Sequence, residues 1–214
     1  MTINLKLASY LEQVEKWPKE GQYILAQYTE EYIVVYQAYN PSIGYFAVEN
    51  QFFGGGFRYS RMSWIKPNFL WMMYRSGWGI KENQEITLAI KLKLDFFEQI
   101  LQNSITSSFC SKRYQDFTAW QKALTLSNVR LQWDPDHDPK GKKETRRAVQ
   151  LGLRNEMLEP FKGDGIIEIE DISAFVKKQR ENIDSDNYQN LMIPQESVFI
   201  PRSEQAIFNV GIDP

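Results

Sequence analysis

Tyr23–Tyr39, YILAQYTEEYIVVYQAY, holds two β-rich runs, Tyr23–Tyr28 and Tyr32–Tyr39, parted by Thr29, Glu30 and Glu31. Isoleucine, valine and tyrosine suit pleated, half-buried backbone, and a short polar break between two such runs predicts a hairpin, hence antiparallel pairing. Upstream, Leu5, Leu7, Leu11 and Val14 are spaced for an amphipathic helix that ends before Pro18. Downstream, Asn40-Pro41-Ser42 predicts a helix start with proline near its first position, and IGYFAVENQ carries that helix to Gly54-Gly55-Gly56. Arg58–Lys66 reads as a strand, and FLWMMYRS, apolar all round, as a short buried helix or strand stopped by Gly77. EITLAIKLKL, Glu85–Leu94, alternates as a strand, and DFFEQILQNS follows as a helix capped by Asp95. Residues 103–119 are polar and irregular. Asn128–Trp133 and Ala148–Arg154 read as strands, Asp171–Ile183 as a helix capped by Ser173 or Asp171, and SVFIP as a short strand in an irregular tail. Strands and helices do not alternate regularly. The expected fold is therefore α+β, a single compact domain over residues 1–214 with a mainly antiparallel, twisted sheet and flanking helices, in which about the last 50 residues form a helix and irregular tail packed on the rest.

The bulk properties narrow the function classes. A net charge of −2 on 214 residues excludes a generally basic nucleic-acid coat, so any anion site must be local. One cysteine, Cys110, excludes an internal disulfide framework and a cysteine-based zinc site. MTINLKLASYLEQVEKW lacks a basic leader followed by an apolar run, and no apolar run approaches a membrane span, so a cytoplasmic protein with no membrane partner is expected.

Three stretches carry candidate chemistry. Phe57–Lys81, FRYSRMSWIKPNFLWMMYRSGWGIK, holds seven aromatic residues and five cations and no acid. Rings stack on flat bases and guanidinium forks grip phosphate oxygens, which suits a nucleotide; the plain alternative is a buried tryptophan-rich element whose cations reach the surface. Arg58, Arg61, Lys66 and Arg75 are the expected phosphate contacts, and Trp64, Trp78 or Tyr36 the stacking rings. Gln37, at the end of a strand leading into a helix, has an amide suited to positioning a base or a carboxamide. Glu85 and Glu82 are the acids nearest the cationic run; a carboxylate beside an oxocarbenium-like centre stabilises its charge, and Glu85 is the candidate for that role. In Gln132–Arg154, His137 stands among Asp134, Asp136 and Asp138. An acid beside an imidazole makes His137 a candidate general acid. The same set invites a divalent metal, but Pro135 and Pro139 favour turns that scatter the side chains, and no metal is expected. Arg147 and Gln150 on the following strand are further candidate ligand contacts, with solvent-facing side chains as the plain alternative.

These motifs resemble those of a bacterial and fungal family known as domain of unknown function 4291. The features that carry the resemblance are ILAQYTEEYIVVYQAYNPSIGYFAVENQFFGGGF, SRMSWIKPNFLWMMYRSGWGIKENQE, VRLQWDPDHDPKG and RRAVQLGLR, together covering about residues 23–160. The WIKPNFLWMMYRSGW block is the most specific of them. That family is similar in turn to the ADP-ribosyltransferase superfamily. The likeness implies a split sheet gripping NAD, a first-strand residue where Gln37 stands in place of the usual Arg or His, and a glutamate near the reacting ribose, for which Glu85 is the candidate. The leading expectation is a nucleotide-binding enzyme that transfers ADP-ribose from NAD, without a metal, with a nucleic acid among its acceptors. The alternatives are a non-catalytic module for nucleotides or single-stranded nucleic acid, and a structural domain with no ligand.

Overall fold

The computed structural model describes residues 4–183 and 188–212. In chain order these form β1 (Leu7–Ser9), α1 (Tyr10–Lys16), β2 (Gly21–Gln22), β3 (Ile24–Ala26), β4 (Tyr32–Tyr39), α2 (Pro41–Asn50), β5 (Ser63–Ile65), α3 (Phe69–Ser76), β6 (Ile86–Lys93), α4 (Leu94–Gln102), β7 (Ser104–Thr106), α5 (Phe117–Leu126), β8 (Val129–His137), β9 (Lys143–Leu153), β10 (Ile166–Asp171), α6 (Ser173–Ile183), β11 (Met192–Pro194), β12 (Ser197–Phe199) and α7 (Glu204–Val210). The fold is α+β, and its pairings are mainly antiparallel, with β2–β9 and β7–β8 the parallel exceptions.

Two sheets organise the molecule. β10, β6 and β4 form an antiparallel sheet with β6 at its centre. Side chains alternate across a strand, so Ile33 and Val35 of β4 enter one core while Val34 and Tyr36 enter another. The first core lies between this sheet and the β8–β9 hairpin and takes in Leu131, Val149, Leu151 and the inner face of α4. The second is covered by α3 and α6 and by Tyr10 of α1. β5 joins the two sheets. Ser63–Ile65 pair with Leu151–Leu153 of β9, and one residue later Lys66 bridges Tyr36 of β4, with N–H···O bonds of 2.7 and 3.2 Å.

Several expectations change. The Tyr23–Tyr39 hairpin does not form: β3 pairs with β12, β4 pairs with β6, and only a bridge from Tyr28 to Ile33 spans the turn. The side of β4 not paired with β6 is taken by Gln27, through the Val34 N–H at 2.9 Å, and by the Lys66 bridge to Tyr36, while β3 pairs with the C-terminal segment. Leu5 and Leu7 precede the first helix, and Leu7–Ser9 pair with Met192–Pro194. The strand expected over Arg58–Lys66 shrinks to Ser63–Ile65, and the tail holds β11, β12 and α7. Asp95 does not cap α4, whose cap position is Lys93; residues 103–119 contain β7 and the start of α5. Asp134–His137 continue β8 rather than turning. The ladder shifts between Pro135, which still pairs with Arg147, and His137, and the residue left out of register is Asp136.

Candidate functional site

The seam that β5 makes between the sheets opens into a cleft of about 760 Å³. It forms where β4 ends, α2 begins and α3 crosses. Asn40 caps α2 by accepting from the Ile43 N–H at 3.1 Å, and Asn68 caps α3 by accepting from the Trp71 N–H at 2.7 Å. The N-terminus of α3 is secured further by buried Glu196, which accepts from the Phe69 N–H at 2.6 Å and from Asn68 Nδ2 at 3.1 Å. Both caps set helices at the cleft: Asn40 and Ile43 line it from α2, and Met72 and Arg75 from α3.

Arg58, Arg61, Lys66 and Arg75 all line this one cleft, together with Gln37 and Trp64. Among the described residues, none that lines it is acidic. Among the described residues, none of the four cations is in an ion pair. The three arginines are exposed, whereas Lys66 is only 6% exposed and makes one long contact, Nζ to the Trp64 carbonyl at 3.5 Å. Burial pushes Lys66 down to about 8, the Arg75 guanidinium adds to that fall, and Asp134 opposes it. An ammonium that is buried, short of acceptors and beside another cation is a costly arrangement without an anion to complete it.

Strand parity explains which residues reach the cleft. Trp64 and Lys66 are two apart and share a face. The Trp64 indole lies over Gly152, its partner on β9, where an added Cβ would come within 3.0 Å of the ring and 2.6 Å of Met62 Sδ. Gln37 and Tyr39 share the opposite parity to Tyr36. Gln37 Nε2 donates to Ser63 Oγ at 2.7 Å and to the Trp64 carbonyl at 3.1 Å, and the Tyr39 hydroxyl lies 3.0 Å from the same Ser63 Oγ.

The remaining expected site residues lie elsewhere. Tyr36 is fully buried against Phe69 in the second core. Trp78 is 8% exposed, donates to the Pro139 carbonyl at 3.1 Å and packs in that core, so it cannot stack on a ligand in the cleft. Glu85 accepts from the Asn83 N–H at 2.9 Å and opens on a separate cavity of about 330 Å³ beside α6. Glu82 is exposed. His137 is 2% exposed and stacks on Tyr74 and Trp71 of α3, and none of these three lines the cleft. Burial lowers its pKa, against the pull of Asp136, so a general-acid role loses its basis. Arg147 is exposed opposite Pro135. Gln150 donates to Asp134 Oδ2 at 2.7 Å, while Gln132 holds Oδ1 at 2.8 Å. Among the described residues no three His, Cys, Asp or Glu side chains are grouped to hold a metal ion, and no helix is long and apolar enough to cross a membrane.

Sequence reasoning missed Ser63 and Tyr39, which hold Gln37, and Glu196, which holds α3; it set Asp134 beside His137 and did not connect it with Lys66, on which its charge acts. Tyr39 was signalled by its two-residue offset from Gln37. Glu196 had no local signal, since it acts across 127 residues.

No curated protein matches the chain. A family model described as Domain of unknown function (DUF4291) matches residues 23–199, a span that contains every residue lining the cleft and Glu196 as well. The chain belongs to the DUF4291 family.

Proposed function

We propose that the cleft between β4, β5 and α3 binds a nucleotide through its phosphates, with NAD as the ligand of choice. The observation that supports this is the convergence of Arg58, Arg61, Lys66 and Arg75 on a cleft with no acid in its lining. Four uncompensated cations repel one another, and a diphosphate relieves that repulsion while accepting their hydrogen bonds. The volume falls within the range of about 300–1,000 Å³ that suits a discrete small molecule, which favours a nucleotide over a tracked single strand. Trp64, half-buried at the wall, offers a ring face for stacking.

ADP-ribosyl transfer is our reading of the reaction. It needs a carboxylate beside the ribose as positive charge develops there. Glu85 opens on a different cavity; Asp134 lies outside the lining too, but its charge reaches Lys66 and its two oxygens are fixed by Gln132 and Gln150, so we assign the role to Asp134, acting from behind the cleft wall. Incubation with NAD is expected to release nicotinamide above the buffer rate, and Asp134→Asn to reduce that release at least about tenfold with little change in NAD affinity. No release by the wild-type protein overturns the transfer reading.

Lys66 makes binding depend on pH. Its folded-state value lies near 8 against an ordinary value of 10.5. Below pH 8 the ammonium is charged and attracts phosphate; as pH rises through 8 the folded protein loses that charge first. NAD affinity is therefore expected to fall from pH 7 to pH 9, and calorimetry on Lys66→Met should show a flatter profile. Folding stability follows the opposite sign. Between about pH 8 and 10.5 the unfolded chain holds the proton that the folded chain has lost, so stability rises across that window.

A further inference from the structure

Gln37 is 3% exposed and lines the cleft. Its amide orientation is fixed by its neighbours. The Trp64 carbonyl is an acceptor with nothing to donate, so the Gln37 atom 3.1 Å from it must be the NH₂ group. That nitrogen has two hydrogens. One goes to Trp64 O and the other to Ser63 Oγ, which the Tyr39 hydroxyl holds in turn. Both donors are thus engaged within the protein. Oε1 is left over: a buried acceptor with no hydrogen-bond partner among the described residues. Among the described residues nine buried side-chain atoms lack a partner, and Gln37 Oε1 is the one whose side chain lines the cationic cleft, where a ligand N–H would complete it.

Taking the cleft as a nucleotide site, we propose that Gln37 selects the ligand's ring. It accepts a hydrogen bond at Oε1 from an exocyclic amine or a primary carboxamide, and disfavours a ring that presents an oxygen or a methyl group there. The acceptor cannot become a donor by flipping, because the flipped amide would set its oxygen against the Trp64 carbonyl. The ligand class is therefore a dinucleotide or nucleotide bearing an NH₂ group on its aromatic ring, with nicotinamide and adenine both satisfying the requirement. A site built around one N–H rejects analogues that lack it, since the analogue leaves the buried acceptor unpaired.

The test compares three probes on the wild-type protein by calorimetry: NAD, its 3-acetylpyridine analogue and its hypoxanthine analogue. All three share the diphosphate. The first analogue replaces the carboxamide NH₂ by methyl, and the second replaces the adenine NH₂ by oxygen. One of them is expected to bind at least about tenfold more weakly than NAD, and which one tells which ring lies against Gln37. Gln37→Met should shrink that gap to about twofold. Both analogues binding within about twofold of NAD would overturn the assignment while leaving the phosphate site standing, as would a full gap retained in a folded Gln37→Met protein. If NAD and both analogues all fail to bind, the nucleotide reading itself falls, and this assignment with it.

Discussion

Replacing Arg61 and Arg75 together with alanine is expected to weaken NAD binding by at least about a hundredfold while leaving the melting temperature almost unchanged. Each hydrogen bond to a charged phosphate contributes about 1.5–3 kcal/mol, so losing both guanidinium groups removes roughly 3–6 kcal/mol of binding. Stability should move little, because both side chains are exposed and neither forms an ion pair among the described residues. Exposed substitutions of this kind usually stay within about 0.5 kcal/mol, which is about 2 °C for a chain of this size. Removing Arg75 also relieves the repulsion that helps to depress Lys66, so the double variant should lose affinity over a pH range shifted upward. Calorimetry and a thermal melt on the same preparation separate the two readings. A purely structural role for these arginines predicts the reverse pattern, a lower melting temperature with no ligand phenotype.

Arg146→Met is expected to do the opposite, lowering the melting temperature by about 10 °C. Arg146 is 3% exposed and Asp136 is 1% exposed; Nη2 lies 2.6 Å from Oδ2, Nε donates to the same oxygen at 2.7 Å, and Nη1 donates to the Pro18 carbonyl at 2.8 Å. The guanidinium also lies over the Trp17 ring at 5.2 Å. Removing it strands a buried carboxyl that burial already pushes upward and that Arg146 partly restores. Breaking such a pair costs about 3–5 kcal/mol, and each kcal/mol is about 2–4 °C at this chain length. Arg147→Ala, one residue away on the exposed face, should shift the melt by no more than about 2 °C. A melt of the two single variants side by side checks both values. Asp136→Asn added to Arg146→Met should recover part of the loss, since it removes the stranded charge.

The elements legible in the sequence were those whose signals are local. Asn40 and Asn68 cap α2 and α3, Gly77 ends α3 in a left-handed conformation, and Asp171 accepts from the Ser173 N–H at the start of α6. Asp116 likewise caps α5 at 2.7 Å, but the polar setting of residues 103–119 hid it. What sequence patterns could not supply was partnership across the chain. β1 depends on β11 and β3 on β12, pairings whose members lie more than a hundred residues apart. The site divides in the same way. The cationic run identified the cleft because Met62, Trp64 and Lys66 follow a two-residue period and Met72 and Arg75 share a helix face. Tyr36 could have been excluded by the same parity, since it is adjacent to Gln37 and must point to the opposite face. Asp136 and His137 sat in a run that reads as a turn, and only the bulged continuation of β8 buries them.

The most direct test is a calorimetric titration of the wild-type protein with NAD at pH 7 and about 0.15 M salt, where the Debye length of about 8 Å still exceeds the reach of a direct guanidinium–phosphate contact. Saturable one-to-one binding with a Kd below about 1 mM, abolished by the Arg61→Ala, Arg75→Ala double variant, is the predicted result. No binding at several millimolar NAD, about −4 kcal/mol or weaker, would contradict the account, as would equal binding by the double variant.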